Sequence, residues 1–129
     1  SLRGVDIAAQ KLKALGQRNQ VIPLSVGGAF HSPLMQSAEK VLTQAIQEAE
    51  MRPPICPIYQ NYSARPHQDD IDLIKENLIK QLTAPVKWSQ SITAMLKSGL
   101  HSFEECGPGE VLTRLLKKIR NQYQQEKTS

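Results

Sequence analysis

Apolar positions recur along this chain at the three-and-four spacing of helices, in blocks separated by proline, glycine and polar runs. Val5, Ala8, Leu12 and Leu15 share one helical face, and Gly16 follows as a C-terminal stop. A polar turn, Gln17 to Gln20, feeds a short apolar run, Val21 to Val26, that reads as a buried strand. From Ser32 a second helical pattern runs through Leu34, Ala38, Val41, Leu42, Ala45, Ile46 and Ala49. Ser32 suits its N-cap and Pro33 its first position. Arg52-Pro53-Pro54 ends it, because proline has no N–H to continue the hydrogen-bond ladder.

Ile55 to Tyr59 reads as a short strand, with Pro57 placing it near an edge or a strand end. The polar loop that follows reaches Asp70 and carries His67, to which the pattern assigns no role. Asp69 or Asp70 can cap a third helix, marked by Ile71, Ile74, Leu78 and Leu82 and broken at Thr83-Ala84-Pro85. Trp88, Ile92, Met95 and Leu96 mark a fourth, stopped by Gly99. His101 to Cys106 is a further strand candidate. Gly107-Pro108-Gly109 reads as a tight turn into a last helix with Val111, Leu112, Leu115, Leu116 and Ile119 on one face. The polar residues 122–129 are predicted to fray. Helices alternating with strands point to the α/β class with a mainly parallel sheet, yet three strands are few for one. The chain reads as part of a sheet completed elsewhere.

Composition narrows this picture. The 129 residues are one domain's worth, and 40% hydrophobic with 22% charged residues is ordinary for a globular protein. No apolar run approaches the roughly 20 residues that cross a bilayer, and the N-terminus lacks the apolar centre of a signal peptide. The chain begins Ser-Leu-Arg rather than with Met, which reads as a piece of something larger. Cys56 and Cys106 lack metal-site spacing and read as buried free thiols of a cytoplasmic protein. The net charge is +4, with Arg114, Lys117, Lys118, Arg120 and Lys127 gathered near the C-terminus. They suit a helix end matched to its dipole, or a docking surface for an acidic partner. Aromatics at 5% and the lack of a binding motif argue against nucleic acid.

The candidate chemistry sits at Ser25-Val26-Gly27-Gly28-Ala29-Phe30-His31-Ser32, between the predicted strand and the second helix. Two glycines allow a sharp turn there. They leave one histidine at a strand-to-helix junction, where α/β folds present catalytic groups. Imidazole can take or give a proton near neutrality, so His31 can act as a base once a nucleophile is beside it.

Gly28-Ala29-Phe30-His31-Ser32-Pro33-Leu34-Met35 resembles the catalytic-histidine motif of malonyl-CoA:acyl-carrier-protein transacylases and related acyltransferase domains. Gln81-Leu82-Thr83-Ala84-Pro85-Val86-Lys87-Trp88 is similar to the family's Gln-Leu-x-x-Pro-Val-x-Trp. Glu105-Cys106-Gly107-Pro108-Gly109-Glu110-Val111-Leu112 resembles its Glu-x-Gly-Pro-Gly-x-Val-Leu. The three blocks stand in the family's order and cover nearly the whole chain.

The resemblance implies an organisation and a set of roles. Residues 1–26 would end a ferredoxin-like small subdomain with its last helix and strand. Residues 27–121 would be the C-terminal portion of the large acyltransferase subdomain, an α/β-hydrolase-like parallel sheet with helices, and 122–129 a disordered tail. His31 takes the place of the general base and acid of a Ser-His dyad. The Gln81 backbone carbonyl takes the place of the group that orients it, and Phe30 that of a residue lining the acyl pocket. A bulky ring at that position favours malonyl over methylmalonyl. The implied substrates are malonyl-CoA and acyl carrier protein, in fatty acid or polyketide synthesis, with the coenzyme A thioester as substrate and no resident cofactor or metal. No serine of the chain stands in a Gly-x-Ser-x-Gly elbow. The nucleophile is therefore expected on a missing N-terminal half, and the isolated chain is expected to be inactive. Two alternatives are a non-catalytic domain that binds a carrier protein or scaffolds a larger synthase, and a hydrolase using Cys56 or Cys106 with His31.

Overall fold

The computed structural model describes residues 2–15 and 27–128; the expected strand Val21–Val26 and the Gly16 stop lie outside them. Helix α1 spans Leu2–Ala14, with Val5 and Leu12 exposed. At the next helix start, Ser32 caps a single 3₁₀ turn, Pro33–Met35, and α2 (Gln36–Glu48) continues from it. The Ser32 hydroxyl accepts the Leu34 N–H at 3.3 Å and donates to the Ala29 carbonyl at 2.7 Å, so one side chain closes the turn on both sides.

Helix α2 stops at Ala49, whose backbone is extended ahead of the proline pair. The ammonium of Lys75 donates to the carbonyls of Gln47 (3.2 Å) and Ala49 (2.9 Å), satisfying acceptors that a helix end leaves orphaned. Lys75 belongs to α3 (Ile71–Lys80), which packs on α2; Ile46 and Ile74 are their buried aliphatic residues. Asp70 caps α3 through its carboxylate, accepting the Leu73 N–H at 2.8 Å.

A second helix pair follows. Helix α4 (Trp88–Lys97) packs on α5 (Val111–Thr128) around Ile92, Leu96 and Ile119. Trp88, Met95, Phe103, Leu116 and Tyr123 surround that cluster, and Ile92 at its centre is 2% exposed. Gly99 ends α4 with φ of +88°, a backbone state that side chains with a Cβ resist. It allows Gly99 N–H to reach the Leu96 carbonyl and Leu100 N–H the Met95 carbonyl.

The structure departs from the sequence expectations in six places. The strand expected over Ile55–Tyr59 is formed only at β1 (Ile58–Tyr59), paired antiparallel with β2 (Pro66–His67). Pro53, Pro54 and Pro57 bring no N–H to a ladder, and the 101–106 segment is irregular, without a strand partner among the described residues. The tail expected to fray from 122 is instead helical to Thr128, because Tyr123, four residues after Ile119, adds its ring to the core cluster. On α5, Ile119 is buried and Leu116 packs against the core, while Val111, Leu112 and Leu115 stay exposed, since no described element covers them. Both cysteines are exposed free thiols rather than buried ones. Finally, Gly28 does not take a positive φ; His31 does, at 58°.

Candidate active site

The site begins with the broken end of α3. Past Lys80 the chain tightens, with Leu82 N–H bonding the Ile79 carbonyl at 3.1 Å and Thr83 N–H the Lys80 carbonyl at 3.4 Å. In a continuing α-helix the Gln81 carbonyl would receive the N–H four residues on. That residue is Pro85, which has none. The Gln81 carbonyl is therefore free to accept from elsewhere.

It accepts from His31. The Nδ1 atom of the half-buried imidazole lies 2.7 Å from the Gln81 carbonyl oxygen, fifty residues away in sequence. A carbonyl oxygen can only accept, so Nδ1 carries the hydrogen and the neutral ring keeps its lone pair on Nε2. Holding His31 at φ 58° costs on the order of 1–2 kcal/mol for a residue with a Cβ. Strain of this kind persists where surrounding bonds over-determine it, here the Ser32 turn and the Gln81 contact.

The side chain of Gln81 is occupied as well. Its Oε1 accepts from Asn61 Nδ2 at 2.9 Å, and the Asn61 carbonyl accepts the Lys87 N–H at 2.9 Å. Under Asn61, Gln60 Nε2 donates to the Ile74 carbonyl at 2.9 Å, and Asn77 Nδ2 donates to Gln60 Oε1 at 3.0 Å. Gln60 and Asn77 are both buried, so this pair fastens the segment after β1 to α3 without leaving unmet polar groups. His67, given no role by the pattern, pins the loop between β1 and β2 through a 2.8 Å bond to Ser63 Oγ.

Phe30, immediately before His31, is 59% exposed, and its ring flanks Gly28. The structure thus brings together His31 and the Gln81 carbonyl and leaves the Phe30 ring open beside them. Local pattern gives no signal for Asn61; it marks Pro85 as the break of α3, and the i+4 spacing from Gln81 is what ties that break to the free carbonyl. Cys56 and Cys106 are exposed, and among the described residues no group of three or more His, Cys, Asp or Glu side chains could hold a metal ion.

A separate cleft of about 420 Å³ lies along α4 and α5, bounded by Trp88, Phe103, Glu105, Leu116 and Arg120. At its edge Glu105 caps α5, accepting Leu112 N–H at 3.1 Å, Thr113 N–H at 2.9 Å and the Thr113 hydroxyl at 2.7 Å. The Thr113 hydroxyl bond, helped by the two amide bonds, holds the Glu105 carboxyl below its ordinary value of 4.5. Arg120 donates to the His101 carbonyl and stacks over the Phe103 ring at 5.1 Å, fastening the irregular 101–106 segment to α5.

No family model matches the chain. Relatives and solved structures do. The malonyl CoA-acyl carrier protein transacylase of Bacillus subtilis (strain 168) is 38% identical over 117 residues, which is 91% of this chain and 36% of the relative. The malonyl-CoA:acyl carrier protein transacylase structure from Xanthomonas oryzae pv. oryzae superposes with a TM-score of 0.83 at 35% identity, covering 91% of this chain and 37% of that one. A malonyl-transacylase in complex with a type II PKS acyl-carrier protein superposes with a TM-score of 0.84 at 31% identity, over 92% of this chain and 38% of that one. The helices around His31 are thus a portion of the α/β acyltransferase fold. Within that class its sequence and structural likeness is to malonyl-CoA:acyl-carrier-protein transacylases. It spans a little over a third of the length of the curated relatives it matches, consistent with a C-terminal portion.

Proposed function

We propose that this chain is the histidine-bearing part of an enzyme that moves malonyl from coenzyme A to the pantetheine thiol of an acyl carrier protein. The observation that carries the reading is the 2.7 Å bond from His31 Nδ1 to the Gln81 carbonyl, which leaves Nε2 as a free base. In the proposed reaction Nε2 takes the proton of a serine hydroxyl supplied by a segment outside this chain, and the serine oxygen attacks the malonyl thioester carbonyl. The tetrahedral adduct collapses, the carbon–sulfur bond breaks, and the imidazolium returns the proton to the coenzyme A thiolate. The carrier's thiol then gives its proton to Nε2 and attacks the malonyl-serine ester. The carbon–oxygen bond breaks, and the serine oxygen takes the proton back.

Throughout the cycle the Gln81 carbonyl holds the ring in one tautomer and one orientation, and it stabilises the imidazolium when that forms. The exposed Phe30 ring supplies one wall of the acyl pocket and excludes the extra methyl of methylmalonyl. Coenzyme A enters as a thioester substrate, and the reaction needs no resident cofactor or metal. The names of the relatives, one of them seen with an acyl-carrier protein, support the choice of substrate and partner. The reading places the enzyme in the cytoplasm; no helix among the described residues is long and apolar enough to cross a membrane.

The test is intact mass after incubation with malonyl-CoA. The chain alone is expected to keep its mass. Co-expression with the remaining two-thirds of a relative's sequence is expected to restore malonyl transfer, lost on His31→Ala. Transfer that survives His31→Ala would reject the reading. A complex that binds carrier protein without transfer would favour a scaffolding domain.

A further inference from the structure

The bond from His31 to Gln81 is only as well aimed as the turn that presents the Gln81 carbonyl. That turn, residues 81–87, contains Thr83-Ala84-Pro85-Val86, leaves the α3 ladder at Gln81 and rejoins helix at α4. Left to itself, a seven-residue excursion between helices is free to wander, since each unfixed residue holds roughly 1–2 kcal/mol of backbone entropy.

Two adjacent residues grip it at both ends. Asn61 donates through Nδ2 to Gln81 Oε1 at 2.9 Å, and its own carbonyl receives the Lys87 N–H at 2.9 Å. Tyr62 presents its ring to the ammonium of Lys80, 5.5 Å from the ring centroid, and to that of Lys87, 5.0 Å from it. The first contact of each residue lies at the α3 end of the turn and the second at the α4 end. The gripping pair is itself anchored, because the neighbouring Gln60 is buried and bonded to Ile74 and Asn77.

We infer that Asn61 and Tyr62 form a clasp that sets the position of the Gln81 carbonyl and thereby the tautomer of His31, with Asn61 as the positioning residue. This rests on the proposed role of His31 as the base, since only a base needs its lone pair kept on Nε2. Asn61 touches neither the ring nor any reacting atom. It acts through the Gln81 side chain and the Lys87 backbone, so its loss should change the state of His31 while leaving the helices in place.

The experiment reads the ring rather than the reaction. The 129-residue chain is labelled with ¹⁵N-histidine, and long-range ¹H–¹⁵N spectra give the Nδ1–H to Nε2–H population ratio of each ring. The His31 signals are identified by their loss in His31→Gln. We expect Nδ1–H to dominate in the native chain. Asn61→Ala should lower the ratio about fivefold, the worth of roughly one hydrogen bond. Gln81→Ala, which removes the other partner of the same bond, should lower it by a similar factor, and the double variant should add little more. Asn61→Asp should restore most of the native ratio, because the Gln81 amide can turn and donate to a carboxylate. An unchanged ratio in both alanine variants, with native circular dichroism, overturns the proposal. So does an aspartate variant as impaired as Asn61→Ala. If Asn61→Ala fails to fold, the Gln81→Ala and Asn61→Asp pair still decides. The ratio is measured without substrate, so a failure here is distinguishable from a failure of malonyl transfer in the reassembled enzyme.

Discussion

Pro85 leaves the carbonyl of Gln81 unclaimed. The two residues stand at the i, i+4 spacing that would close an α-helical bond, and Pro85 has no N–H with which to close it. His31 Nδ1 takes the vacant acceptor at 2.7 Å. The helix break and the orientation of the candidate base are therefore one event.

Pro85→Ala tests that link. The substitution returns an N–H at the position where a lengthened α3 could capture the Gln81 carbonyl. The His31 Nδ1–H tautomer is expected to lose ground, and kcat/KM of the reassembled enzyme to fall about fivefold, the scale of one hydrogen bond. Tautomer populations and steady-state rates measured on the same variant check this. An unaltered ring would mean that the turn holds its shape without proline.

Glu105 predicts an acid limit for the α4–α5 unit. Its carboxylate accepts three hydrogen bonds at the start of α5, chiefly from Thr113, which lower its folded pKa. A lowered folded pKa means the unfolded chain binds the proton more readily. The stabilisation is thus complete above the ordinary value of 4.5 and lost as pH falls below it through the folded value. Urea midpoints measured between pH 7 and pH 3 should show the decline, and Glu105→Gln should flatten it.

Ile92 is the most deeply buried residue of the core. Ile92→Ala removes its packing against the α4–α5 cluster and should cost roughly 2–5 kcal/mol, depending on how far the site collapses. Chemical denaturation followed by Trp88 fluorescence measures it, since that indole packs on the same cluster. Loss of less than about 1 kcal/mol would show that the helix pair is loosely packed.

Phe30 carries the selectivity expectation. In the reassembled enzyme, Phe30→Ser should raise methylmalonyl transfer relative to malonyl by about 10–200-fold, the discrimination available from one methyl group in an apolar pocket. Competition between the two thioesters, read by carrier-protein mass, gives the ratio directly. A ratio that does not move would place the ring outside the acyl pocket.

Local pattern alone determined where the helices of the described residues lie and how α3 and α4 stop. The apolar spacing, the Ser32 and Asp70 caps, the Thr83-Ala84-Pro85 break and Gly99 are short-range signals, and each appears in the structure at its expected place. The family motifs likewise pointed to the acyltransferase fold. Tertiary structure decided what depends on residues distant in the chain. The strand expected over Ile55–Tyr59 shrank to two residues because strand length is set by available partners, which local pattern does not contain. The exposure of Val111, Leu112 and Leu115 has the same cause, since an apolar face is buried only by what packs on it. Asn61 carried no signal, because a side-chain bond across twenty residues has no periodicity. The His31–Gln81 contact joins both kinds of information: proline chemistry freed the carbonyl locally, and only the fold could bring a histidine fifty residues away to meet it.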